Sequence, residues 1–135
     1  MNVLAINAML QGPGMVPFLG DGARFLACDG LQPAEGGALT TILAAAVLAS
    51  PAGVVVDGRL TLAQADAEGD MALATGVATW GRLESGSGVW VADYSISGPS
   101  GAGQVKLEVI DPPAGDPEAK LYQGGRFLLQ GVVIG

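Results

Sequence analysis

A chain of 135 residues with six Lys and Arg against thirteen Asp and Glu has the length of one domain and, at −7, the wrong sign for a nucleic-acid partner. It contains no histidine and one cysteine, which removes Ser-His-Asp and Cys-His nucleophile pairs, the usual zinc ligand sets and any internal disulfide. Half the residues are hydrophobic, yet they are small: 22 Gly, abundant Ala and Val, and only three Phe, two Tyr and two Trp suit thin β-layers better than a bulky helical core.

Residues 1–20 carry no charge and hold three of the four methionines. No basic segment marks a signal peptide, and Asn2, Asn7, Gln11, Gly12, Pro13, Gly14 and Pro17 interrupt what would have to be a continuous apolar span to cross a membrane. Residues 1–19 therefore read as an uncharged, extended N-terminal arm ahead of a β-domain at 20–135. Disordered ends are usually polar, whereas this one offers Val3, Leu4, Ile6, Met9, Leu10, Met15, Val16, Phe18 and Leu19. These side chains must pack either on their own domain or across a protein interface on a neighbouring subunit, and the crossing is the favoured expectation.

Gly20-Asp21-Gly22 is a turn leading into a strand over Ala23 to Cys28, with Arg24, Leu26 and Cys28 facing one way and Ala23, Phe25 and Ala27 the other. Cys28 is expected as a small buried hydrophobe, not a reactive thiol. Leu31 to Gly37 is loop. Thr40 to Ala49 is rich in helix formers, but its β-branched residues, the lack of a polar face and the stop at Ser50-Pro51 favour a strand. Asp57-Gly58 is a tight-hairpin dipeptide between Val54–Val56 and Arg59–Ala63.

A second hairpin is expected from Ala72–Leu83 and Val89–Ser97 around Glu84-Ser-Gly-Ser-Gly88. With its turn centred on Gly86, Arg82 lies opposite Trp90. Trp80, Trp90, Ala92, Tyr94 and Ile96 then share one face, and Arg82 can cover an indole ring. Trp80, Trp90 and Tyr94 are read as core aromatics, with a sugar-binding platform or protein interface as the alternative. Gln104–Ile110 alternates cleanly, 111–120 is a proline-rich surface loop, and Arg126–Ile134 supplies a last strand. About eight strands in one domain predict an all-β fold, a jelly roll or related β-sandwich.

Motifs that carry chemistry are weak or absent. Asp66, Glu68 and Asp70 have alternate carboxylates but lack the rest of a calcium loop, so they read as a solvated turn. Any chain with thirteen acids offers carboxylate pairs such as those among Glu84, Asp93 and Glu108, so their presence carries no argument for glycoside hydrolysis. The glycine clusters at 12–22 and 98–103 lack the Lys-Ser/Thr ending of a phosphate loop. No catalytic residue, metal site or cofactor is expected.

The string Gly20-Asp21-Gly22-Ala23-Arg24-Phe25, then Asp29-Gly30-Leu31-Gln32-Pro33, then Leu43 with Ser50-Pro51-Ala52, and above all Gly76-Val77-Ala78-Thr79-Trp80-Gly81-Arg82 followed by Gly88 and Asp93, resembles the capsid cement or decoration proteins of tailed, podovirus-like bacteriophages. The likeness covers most of residues 20–134 and is a pattern of turns and strands; it departs at the Ala-rich Thr40–Ala49. It implies a non-enzymatic virion protein with a jelly-roll or related sandwich fold, on the outer surface of an icosahedral shell. Such a protein binds the major capsid protein, clamps adjacent capsomers and is often a dimer or trimer, here with the arm as tether and without nucleic-acid or membrane partners. A different class, a receptor- or carbohydrate-binding module of a tail fibre or neck appendage, is motivated by the aromatic face of the second hairpin.

Overall fold

The computed structural model describes residues 1–10, 14–130 and 132–134. In chain order these form α1 (Val3–Leu10), α2 (Met15–Leu19), β1 (Arg24–Cys28), β2 (Ile42–Val56), β3 (Arg59–Gln64), β4 (Asp70–Met71), β5 (Gly76–Val77), β6 (Trp80–Glu84), β7 (Trp90–Ser97), β8 (Val105–Val109), β9 (Lys120–Leu121), β10 (Arg126–Gln130) and β11 (Val133–Ile134). Nine strands make one sheet in the order β11-β3-β2-β1-β6-β7-β8-β10-β4, and β5 pairs with β9 in a small second sheet. All pairings are antiparallel except β7 with β8, so the large sheet is mixed.

The sheet curls until its two ends approach each other, and the side-chain amide of Gln64 spans the gap. Its Oε1 accepts from the Leu129 backbone N–H at 2.7 Å while its Nε2 donates to Asp70 Oδ2 at 2.8 Å. An amide carries both donors and acceptors, so one side chain on β3 satisfies groups on β10 and β4, neither of which has a ladder with β3.

The main core fills the inside of the curl. Phe25, Leu43, Leu83, Val91, Val105, Leu107, Leu121 and Phe127 are fully buried there, and each such side chain contributes about 1.5–3 kcal/mol of transfer free energy. Alternation along β1 divides its residues between two cores. Phe25 and Ala27, with Ala23 just ahead of the strand, enter the main one; Leu26 and Cys28 join Trp80 in a separate small one on the opposite face.

Thr40–Ala49 contributes to a strand, but β2 does not stop at Ser50-Pro51. The strand runs through that cis peptide to Val56, and the ladder with β3 jumps from the Leu48–Gln64 pair to Gly53–Leu62. The intervening residues are out of register, so Pro51 sits where no ladder N–H is demanded. Beyond the bulge β2 leaves β1, whose pairing ends at Val47, and continues with β3 alone. Asp57 and Gly58 close that hairpin with φ of 52° and 75°, the left-handed pair that a two-residue turn needs. Ala72–Leu83 is likewise not one strand: β5 leaves the main sheet to pair with β9 before β6 begins.

The leader is not an extended arm. It forms α1 and α2, and Ala5, Met15 and Leu19 are buried in the main core of the same chain. Asn2 caps α1 by accepting the Leu4 N–H at 2.8 Å, and its own N–H donates to the Val91 carbonyl at 2.7 Å. A run without charges had no polar face to mark a helix in sequence; contact with the β-body selects the conformation. No helix among the described residues is long and apolar enough to cross a membrane.

Candidate functional site

The turn of the second hairpin lies further along the chain than its glycines suggested. Arg82 faces Asp93, not Trp90; Trp80 faces Ser95; and a bulge between Leu83 and Glu84 places Trp90 opposite Glu84. Because side chains alternate, a shift by an odd number of residues exchanges faces. Ala92, Tyr94 and Ile96 therefore turn to the main core, where Tyr94 stacks on Phe25 with ring centroids 6.3 Å apart. Trp80, Arg82, Trp90 and Asp93 occupy the other face, so the five residues expected together are divided.

Arg82 and Asp93 form a buried two-point ion pair, with side chains 9% and 0% exposed. Arg82 Nε donates to Asp93 Oδ1 at 2.7 Å and Nη2 to Oδ2 at 3.0 Å, while Nη2 also donates to the Gly37 carbonyl at 2.7 Å. Asp93 accepts further from Trp90 Nε1 at 3.1 Å and the Gly36 N–H at 3.3 Å. The guanidinium lies 5.5 Å from the Trp80 ring centroid, the cation–π arrangement expected. The Asp93 hydrogen bond holds the Arg82 pKa above its ordinary value, and burial followed by the Asp93 charge raises that of Tyr94.

Trp80 is fully buried against Leu26 and Cys28, and its Nε1 donates to the Asp29 carbonyl at 3.0 Å and Thr40 Oγ1 at 2.9 Å. Trp90 is half-buried, and Gly36 lies so close that a methyl group there would come within 3.2 Å of Cζ3. The loop between β1 and β2 thus covers both indoles: Asp29 and Thr40 hold Trp80, Gly36 lies against Trp90, and the Gly37 carbonyl accepts from Arg82. The rings and the ion pair clamp this loop to the sheet and offer no shared open platform.

No protein-family model, curated protein or solved structure matches the chain.

The carboxylates considered for chemistry are engaged separately. Glu84 lies 3.9 Å from Arg24, Asp93 holds Arg82, and Glu108 hydrogen-bonds Gln130. At the acidic turn, Asp66 accepts the Glu68 N–H at 2.9 Å and faces Arg126 at 3.6 Å, whereas Asp70 holds Gln64. Among the described residues no group of three potential ligands could hold a metal ion.

Of the leader's nine candidate interface residues, Met15 and Leu19 are buried and Ile6, Val16 and Phe18 half-buried, leaving Val3, Leu4 and Met9 at the surface. The side chain of Leu10 lies outside the described residues. Sequence reasoning passed over a second apolar surface: Val54, Val55 and Val56, 66%, 62% and 62% exposed, on the projecting end of β2. Met9 meets it across a shallow apolar groove also lined by Met15, Val16, Val55, Leu60 and Ile134. Three consecutive valines ahead of Asp57-Gly58 were the available signal, since a strand end with apolar residues on both faces needs cover on both.

Burial pushes the Cys28 thiol up from 9.0 to about 11, with the nearby Arg82 charge offsetting part of the effect. The unfolded chain releases this proton first, so the contribution is fully present below pH 9 and disappears as pH rises through about 11. Over that window the wild-type protein is expected to lose about 2–3 kcal/mol relative to Cys28→Ala. Urea unfolding of both proteins at stepped pH measures this difference, and parallel pH profiles would contradict the assignment.

Proposed function

We propose that this is a non-enzymatic structural protein that binds the outer surface of a bacteriophage capsid and clamps adjacent capsomers, as a cement or decoration protein does. The observation that carries the reading is the exposure of the apolar side chains Val3, Leu4 and Met9 on a leader anchored to an acidic β-body. Apolar side chains left exposed on a body of one charge sign favour a protein partner over nucleic acid. The turn-and-strand resemblance supplies the shell as that partner and the virion surface as the location. We read the curled sheet as a variant of the jelly roll or β-sandwich that the resemblance implies.

The anchored leader alters how the clamp would work. It acts as a rigid apolar ledge rather than a free tether, because Ala5, Met15 and Leu19 are committed to the core of their own chain. A shell repeats each contact many times, so a modest interface per copy, on the order of 1,000 Å² in total, sums to a large stabilisation of the assembly.

The test is co-sedimentation with empty shells assembled from the major capsid protein of a phage whose genome encodes this chain. The wild-type protein should saturate the shells, and a Val3→Ser, Leu4→Ser, Met9→Ser variant should bind at least tenfold more weakly with an unchanged thermal midpoint. Removing residues 1–19 is the poorer experiment, since it strips three core residues. Failure of the wild-type protein to bind, or full binding by the variant, would refute this reading.

A further inference from the structure

The projecting end of β2 has an unused backbone edge, and we propose that it pairs with the same edge of a second copy to make a twofold dimer with a continuous sheet. The inference does not rest on the capsid reading.

The hydrogen-bond parity of the hairpin shows which groups are free. Asp57 and Gly58 form a two-residue turn, so the flanking pair Val56–Arg59 exchanges hydrogen bonds and Val54–Thr61 does the same one step on. Leu60 and Leu62 then point their backbone groups the other way, towards β11. The Leu62 N–H donating to the Val132 carbonyl at 2.9 Å and the Leu60–Ile134 pair agree with this. By the same alternation the Val55 N–H and C=O point away from β3. On that side β1 is no longer present, because its pairing with β2 ends at Val47. Among the described residues no turn or loop backbone bond reaches Val55.

Backbone groups of this kind recognise an extended strand and nothing more compact. The bulge and Pro51 lie before this edge, and Val54, Val55 and Val56 themselves carry no Lys, no inward-pointing charge and no Pro, devices that normally block edge pairing. A second copy fits because the segment is its own complement. Antiparallel pairing about Val55 lets the two Val55 residues exchange both hydrogen bonds and sets each Val56 opposite the partner's Val54.

The charges permit this register. The nearest carboxylates, the two Asp57 side chains, fall four residues apart along the strand, about 13 Å, beyond the roughly 8 Å screening length at physiological salt. Both faces of the junction become apolar. Val54 and Val56 form one stripe with their counterparts, and the two Val55 side chains meet on the face that carries the groove of Met9, Met15 and Leu60.

Sedimentation equilibrium of the full chain over a concentration series tests the proposal. The wild-type mass should rise from 13.4 kDa to twice that value. Val55→Pro should stay monomeric with unchanged circular dichroism, because its N–H takes no part in the β2–β3 ladder and its loss is felt only by a partner strand. Should that variant fail to fold, Val54→Lys with Val56→Lys places like charges opposite each other across the twofold and should likewise abolish the dimer. A wild-type protein that is monomeric throughout, or a folded variant that still dimerises, overturns the proposal.

Discussion

Replacing Asp93 with Ala should lower the unfolding free energy by about 3–5 kcal/mol, the range for removing one partner of a buried ion pair. The loss comes mainly from what remains. Arg82 would keep its charge with only the Gly37 carbonyl to accept from it, while Trp90 Nε1 and the Gly36 N–H would lose their acceptor. Replacing both Arg82 and Asp93 with Leu should cost less than the single change, because no charge is then stranded. Urea unfolding of Arg82→Leu, Asp93→Leu and the double variant gives the coupling directly, and additive effects would show that the pair does not act as a unit. Amide exchange in residues 31–41 should accelerate in Asp93→Ala ahead of the rest of the sheet, because the clamp on that loop is lost first.

That network also shows where sequence reading reached its limit. The strand at Val105–Val109 and the turn at Asp57-Gly58 were legible because each rests on a local rule, alternation in one and left-handed φ in the other. The all-β class followed from the accumulation of such signals. The register of β6 against β7 was not legible from the glycines between them, since a one-residue bulge changes which residues face the core. The better guide was Arg82 with Asp93: opposite charges within two largely apolar runs satisfy each other only if they face each other, and that condition alone fixes the pairing.

The leader and β2 were hidden for a different reason. α1 and α2 have no charged stripe to betray a period, and they are helical because Ala5, Met15 and Leu19 find a place in a core assembled from distant strands. β2 passes through Ser50-Pro51 because four residues drop out of the ladder there, a tertiary accommodation that no local signal announces. The free edge beyond that bulge follows from the same event: once β2 has left β1, the three valines before Asp57 have a neighbour on one side only.

Trp80→Ala is the other large effect, again about 3–5 kcal/mol, the usual cost of emptying a buried aromatic site. Trp80 is the largest fully buried side chain, and the small core it fills with Leu26 and Cys28 has few neighbours able to collapse into the space. Its loss also leaves Arg82 without the ring it covers and the Asp29 carbonyl without the indole donor. Trp80→Phe should recover more than half of the stability, since it restores the ring but not the N–H. The local consequence is read at Cys28: a thiol reagent that modifies the wild-type protein only on unfolding should react with folded Trp80→Ala at least tenfold faster, because the cavity opens beside the sulfur. Equal rates in the two folded proteins would mean that the small core reseals around the missing ring, and the stability loss should then fall below 2 kcal/mol, roughly the transfer term without a persistent cavity.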